Sequence, residues 1–277
     1  MFLFCSCSGC QMQAPNHQER LTALRDVIAD IERKPALLEA ARRSDLNDKG
    51  DFPVLPGGLV QEIFADDLRM GGASLGFALT QAKGLLTPKR PVVFYLCLAE
   101  DGQRQGMPYG PGLSWFGLDP ARLVIIQAGD MTELLWAAEE VMACRAVAAL
   151  VAEIRGEPKL LNFTASRRLS LRSASSHVSL FLLRYGHGRA SSAGHLRWHV
   201  QPQRSGRLAH DDRAPGASRW HVQLEKGRIA GNRTQWVLEW TKNGFATLSQ
   251  PASERRPASP VPGSLSAVLG HGLSQAG

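Results

Sequence analysis

Nowhere in the 277 residues does an apolar run approach the ~18–20 residues that a membrane-crossing helix needs. Glycine, at 27 residues, falls far short of a collagen-like third. Cysteine is scarce and odd in number: Cys5, Cys7, Cys10, Cys97 and Cys144. An odd count with two thiols in apolar segments argues against a disulfide framework and for a reducing cytosol. The cluster Cys5-Ser-Cys-Ser-Gly-Cys10 lacks a fourth ligand, and its readings are a metal clip or a lipidated signal end. The apolar opening Met1–Phe4 is too short for a signal-peptide core and has no basic flank, and Met12 offers an alternative translation start.

What is present suffices for a core. Hydrophobic residues make up 44% and charged residues 21%, enough for one large domain or two modest ones. Acids are the minority charge, 25 against 32 Lys and Arg, for a formal +7. Such a balance permits contact with nucleic acid or with an acidic partner.

Residues 18–43 carry Leu21, Leu24, Ile28 and Ile31 at helical steps, with Pro35 as a kink and a polar linker over Ser44–Asp51. This helix is either a docking arm or a solvated helix packed on the core. Short apolar runs then alternate with helical stretches. Strands are expected at Val60–Phe64, Val92–Leu98, Leu123–Ala128, Ala148–Ile154 and Val178–Arg184, and helices at Ala73–Leu86, from Met131, and at Thr164–His177. The uninterrupted runs VVFYLCL and LVIIQA read as strands covered on both faces. The alternation argues for an α/β fold with a mostly parallel sheet flanked by helices.

After residue 190 the period becomes two. Leu196, Trp198 and Val200, then Trp220, Val222 and Leu224, then Trp236, Leu238 and Trp240 alternate with polar residues, which predicts antiparallel strands with one buried face. The pentapeptide Arg-Trp-His-Val-Gln occurs at 197–201 and at 219–223. From Leu248 the composition shifts to Pro, Ser, Gly and Ala, and a disordered tail is expected. The domain plan is therefore an extension (1–17), a helix and linker (18–50), a core with C-terminal antiparallel strands (51–247) and a tail.

A nucleotide-binding α/β domain needs glycines, free helix N-terminal N–H groups and a lysine between its first strand and first helix. Here that segment is Ala65-Asp-Asp-Leu-Arg-Met-Gly-Gly-Ala-Ser74. It has Gly71 and Gly72 but no Gly-Lys-Ser/Thr, and Asp66 and Asp67 would repel a triphosphate. Glu100 and Glu153 end core strands where catalytic carboxylates sit in such folds. Without a phosphate cradle they read as vestigial or as helix-capping groups. Neither Ser74 nor Ser166 has a nucleophile-elbow setting. His195, His199 and His221 could share one sheet face, as zinc ligands or as solvated polar residues. No catalytic residue, metal or cofactor is expected.

The positive charge is concentrated downstream. Between Pro158 and Arg233, fourteen Lys and Arg stand against three Asp and Glu. Arg167, Arg168 and Arg172 share a helix flank, and Arg184, Arg189 and Arg197 surround the loop Tyr185–Gly194. Such a flank contacts nucleic acid or an acidic protein, or is ordinary basic surface.

The run Phe116-Gly-Leu-Asp-Pro-Ala-Arg-Leu-Val-Ile-Ile-Gln127, with the following helix and strand, resembles the RecA recombinase core. A closer resemblance is to the ImuA family. It rests on Leu55-Pro-Gly-Gly58, Gln61-Glu-Ile63, Trp136-Ala-Ala-Glu-Glu140, Leu161-Asn-Phe-Thr-Ala-Ser-Arg-Arg-Leu169, Arg197-Trp-His-Val200, Arg219-Trp-His-Val222 and Trp236-Val-Leu-Glu-Trp240, in order over about residues 18–246. The resemblance implies a noncatalytic, RecA-like accessory protein of SOS-induced error-prone translesion synthesis in the cytoplasm, gathered at the nucleoid after damage. Its implied partners are an ImuB-type inactive polymerase-like protein and an error-prone C-family polymerase, with RecA a further candidate. Residues 154–164 and 184–195 stand where RecA carries its DNA-binding loops, and both are short here. Arg184 replaces the RecA glutamine that links nucleotide state to DNA binding. Two other readings are a SulA-like division inhibitor and a working ATPase. The first is disfavoured by the extra length and the Trp-rich strands, the second by the missing phosphate loop.

Overall fold

A computed structural model describes residues 51–208, 211–229 and 233–248. The expected extension, the helix and linker of residues 18–50 and the tail beyond Leu248 lie outside these residues.

Alternating apolar runs and amphipathic stretches become alternating strands and helices. β1 (Val60–Ala65) leads to α1 (Gly71–Gly84), β2 (Val92–Leu98), α2 (Ala99–Gln105) and α3 (Gly110–Trp115). Next come β3 (Leu123–Ala128), α4 (Met131–Ala143), β4 (Val147–Glu153), α5 (Phe163–Ser176) and β5 (Ser179–Tyr185). The C-terminal part comprises β6 (Leu196–Gln203), the small hairpin β7 (Arg207–Leu208) and β8 (Asp211–Pro215), then β9 (Arg219–Lys226), β10 (Gln235–Thr241) and β11 (Gly244–Leu248). Nine strands form one sheet in the order β11-β10-β9-β6-β1-β5-β4-β2-β3. Pairing is parallel from β6 to β3 and antiparallel from β6 outward to β11. The fold is therefore α/β, with helices on both faces and antiparallel strands at the C-terminal end.

Two features differ from the expectation. β6 is not purely antiparallel: it pairs parallel with β1 on one side and antiparallel with β9 on the other. It therefore joins the two halves of the sheet. β3 is not covered on both faces. It is the edge strand, and Val124 and Ile125 are each 40% exposed. An apolar run reports β-propensity and burial on average, not a strand's place in the sheet order.

Local chemistry sets the boundaries. The Asp130 carboxylate accepts from Glu133 N at 2.9 Å, and Glu133 reaches back to Gly129 N at 2.6 Å, fixing the start of α4. Asn162 caps α5 by accepting from Ala165 N at 2.9 Å. At the other end of α5, His177 takes the left-handed conformation (φ 59°). Helix α5 and strand β5 consequently begin and end within a residue or so of the expected positions.

The core has two layers. On the α1 face, Phe52, Phe77, Trp198, Trp220 and Trp236 pack with the apolar residues of β1, β2, β4 and β5. On the opposite face, Leu134, Leu135, Ala138 and Met142 of α4 meet Leu150, Leu180 and Leu182. The repeated pentapeptide forms neighbouring antiparallel strands in which Val200 faces Val222, so Trp198 and Trp220 enter the same layer. Cys97 is a buried free thiol, whereas Cys144, just past α4, is exposed. Among the described residues no helix is long and apolar enough to cross a membrane.

Candidate functional site

Parallel α/β sheets present their chemistry at the C-terminal ends of the strands. Here those ends bring together the β1–α1 turn, the end of β4 and the ends of β5 and β6.

The chain leaves β1 at Ala65 and turns through the paired acids. Asp66 accepts from Gln201 Nε2 at 3.1 Å and meets His199 Nε2 at 2.8 Å, with His187 Nδ1 at 3.4 Å. The Gln201 hydrogen bond, reinforced by His199, holds the Asp66 carboxyl below the ordinary aspartate value, against the opposing effect of burial. Asp67 accepts from Arg69 N at 2.8 Å and so closes the short turn before α1. Gly71 and Gly72 open that helix. A Cβ on Gly71 would lie 3.2 Å from the Tyr185 hydroxyl, whereas Gly72 faces open space. The tyrosine hydroxyl thus lies beside the first residue of α1.

Glu153, at the end of β4, is buried and fully engaged. It accepts from the hydroxyls of Tyr95 and Tyr185, the latter at 2.8 Å, and from Arg155 Nη2 at 2.6 Å. Arg155 also faces Asp101 at 3.9 Å. Burial, followed by the charge of Glu153, pushes both tyrosine hydroxyls far above the ordinary tyrosine value, so they act as permanent donors. Burial likewise raises Asp101, partly offset by Arg155. Glu100 does not join this group. It lies exposed in the first turn of α2, paired with Arg104 at 2.5 Å.

The remaining expected residues separate into other places. His195 is buried, and its Nδ1 accepts from Val60 N at 2.9 Å. His221 lies on β9 opposite Gln201. Among the described residues no three His, Cys, Asp or Glu converge as a metal-ligand group.

The six arginines form two separate groups. Arg168 and Arg172 both bind the buried Glu139 of α4, Arg172 at 3.0 Å, while Arg167 is exposed. Arg184, Arg189 and Arg197 instead converge on the Phe64 ring, with guanidinium carbons 5.6, 4.1 and 5.3 Å from its centroid. Arg197 bonds Glu62 at 2.8 Å and Arg189 bonds Glu225 through both carboxylate oxygens. Arg184 is buried, which lowers its ordinary guanidinium value.

Sequence reasoning missed Tyr95, Asp101, Arg155, Tyr185 and Gln201 as members of the site. A signal for the tyrosines existed: they are two of the three in the chain, and each lies within an apolar strand. A buried hydroxyl needs a partner, and Glu153 is the acid at the end of the neighbouring strand β4.

No family model matches the chain. It is 32% identical over 198 residues to Protein ImuA of Caulobacter vibrioides strain NA1000 / CB15N, covering 66% of this chain and 76% of that protein. Protein ImuA of strain ATCC 19089 / CIP 103742 / CB 15 gives the same figures. The chain belongs to the ImuA family. Several pieces that carry the ImuA resemblance touch one another. Gln61 accepts from Trp198 Nε1 at 2.8 Å and Glu62 accepts from Arg197, tying Gln61-Glu-Ile63 to Arg197-Trp-His-Val200. In Leu55-Pro-Gly-Gly58, Gly58 has φ +86°, and a Cβ there would lie 3.2 Å from the Ser173 carbonyl oxygen.

Proposed function

We propose that this ImuA-family chain is a RecA-like accessory protein of SOS-induced error-prone translesion synthesis, acting through protein contacts and without nucleotide hydrolysis. Its partners in this reading are an ImuB-type inactive polymerase-like protein and an error-prone C-family polymerase, with RecA a further candidate.

The observation that carries the noncatalytic part is the Tyr185 hydroxyl lying against Gly71. It lies beside the first residue of α1, and the neighbouring turn contributes two carboxylates and no lysine. Glu153, the acid best placed for metal or water chemistry, is consumed by two tyrosines and an arginine. A triphosphate there would face Asp66 and Asp67, which is unfavourable. A surface meant for docking depends on packing rather than on a phosphate, so a body of this kind can serve as a scaffold without a nucleotide.

Two measurements test the reading. A titration of the purified chain with ATP and magnesium should show no saturable binding in the micromolar range and no phosphate release. Saturable binding that weakens on substitution of Tyr185 or Asp66 would overturn the noncatalytic assignment. Co-purification from DNA-damaged cells should recover the ImuB-type protein. Its absence under conditions that recover a known complex would overturn the partner assignment.

A further inference from the structure

Helices α4 and α5 lie side by side on one face of the sheet, and the groove between them is not filled by the side chains of the described residues. It holds about 480 Å³ and is lined by Leu135, Trp136, Leu160, Ala165 and Arg168, among others. Trp136 is 64% exposed, and Leu160 beside it is also exposed. On α5, Phe163, Arg167 and Leu171 recur at four-residue steps and so share one outer stripe. Phe163 and Leu171 are exposed as well. Scattered exposed apolar residues are ordinary; an exposed indole and an exposed leucine lining the same groove are not scattered.

The rim supplies the second half of the argument. Arg168 and Arg172 share the single carboxylate of Glu139, which leaves that cluster with an excess positive charge. Lys159, next to the lining Leu160, and Arg167, on the outer stripe of α5, are exposed and have no ion-pair partner among the described residues. Against these four cations stand Glu139 and the exposed Glu140. The groove thus has an apolar floor, an aromatic anchor point and a net basic rim.

We propose that the α4–α5 groove is a docking site for an acidic protein segment bearing bulky apolar anchors, which seat against Trp136 and Leu160 while its carboxylates meet Lys159 and Arg167. The proposal rests on the reading that this chain acts through protein contacts, and it identifies the surface and the chemistry of the partner. A nucleic-acid strand fits less well. Its phosphates would follow an unbroken cationic track, and here Glu139 and Glu140 interrupt it.

The test uses the full chain and short fluorescein-labelled peptides followed by anisotropy. The first peptide is rich in Asp and Glu and carries Leu and Phe anchors. One control keeps the anchors but has Lys for every acid, and another keeps the acids but has Ser for every anchor. A poly-dT strand of equal length completes the set. The acidic, anchored peptide should bind at least about tenfold more tightly than any other probe. Trp136→Ala should weaken it by about tenfold or more, as for an aromatic anchor at an interface. Lys159→Glu combined with Arg167→Glu should do the same and should flatten the salt dependence. Because these side chains are exposed, each variant should unfold at the wild-type temperature.

Equal binding of all probes, or binding indifferent to both variants, overturns the proposal. Tighter binding of the poly-dT strand, lost in the same variants, overturns it in favour of nucleic acid. If no peptide binds while co-purification still recovers the ImuB-type protein, the groove assignment falls and the protein-contact reading stands.

Discussion

The Glu62 carboxylate and the Arg197 guanidinium meet at 2.8 Å across the β1–β6 pair, both almost wholly removed from water. Ser192 also donates to Glu62 at 2.7 Å, so the acid is well satisfied where it lies. Removing one partner of a buried ion pair strands the other charge. Arg197→Met should therefore cost about 3–5 kcal/mol in urea unfolding. Glu62→Leu in the same chain should restore much of that loss. If the double variant is no more stable than the single one, the pair is not what holds the β1–β6 junction.

Asp66 gives the pH dependence. Its carboxyl is lowered in the folded chain, so its stabilising contribution is present above the unfolded aspartate value of about 3.9 and is lost as pH falls through the folded value. The stability gap between wild type and Asp66→Asn should be fully present above about pH 4 and should narrow below it. A gap that widens below about pH 4 would contradict the hydrogen bonding described for Gln201 and His199.

Tyr185→Phe removes one donor from the buried Glu153 while leaving the ring beside Gly71. A cost of about 1–3 kcal/mol is expected for the under-satisfied carboxylate. Thermal unfolding measures it, and an unchanged midpoint would mean that water replaces the hydroxyl without loss.

Phe52 lies near the start of the described chain, yet its ring contacts Phe77, Trp198, Trp236 and Phe245 at centroid separations of 5.3–5.8 Å. Phe52→Ala should destabilise the chain by about 3–5 kcal/mol, the range for emptying a buried aromatic site. A loss under about 1 kcal/mol would show that this leading segment is not part of the core.

Much of the fold was legible because burial and period are local. The bounds of β2 and β3 read directly from VVFYLCL and LVIIQA, and the Trp-rich strands from their alternation. The edge position of β3 was not legible, since strand order depends on which partners arrive, and LVIIQA has the composition of an interior strand. At the site, the paired acids after β1 and the Glu153 position were visible in sequence. The contacts of Asp66 with His199 and Gln201 were not, because they span 133 and 135 residues and exist only once β6 takes its register beside β1. The basic flank shows the same limit. Six arginines that look alike in sequence divide between a helix surface and the surroundings of Phe64.

The position of β1 has a consequence for how the chain is made. Its two neighbours are β5 and β6, and the contacts that secure it to β6 bridge 135 residues. A ribosome therefore releases β1 long before either flank has been synthesised, and non-local pairing of this kind is slow. Until then its unpaired backbone is an invitation to foreign strands. Truncation of the gene anywhere ahead of β6 should yield insoluble product rather than a smaller working module.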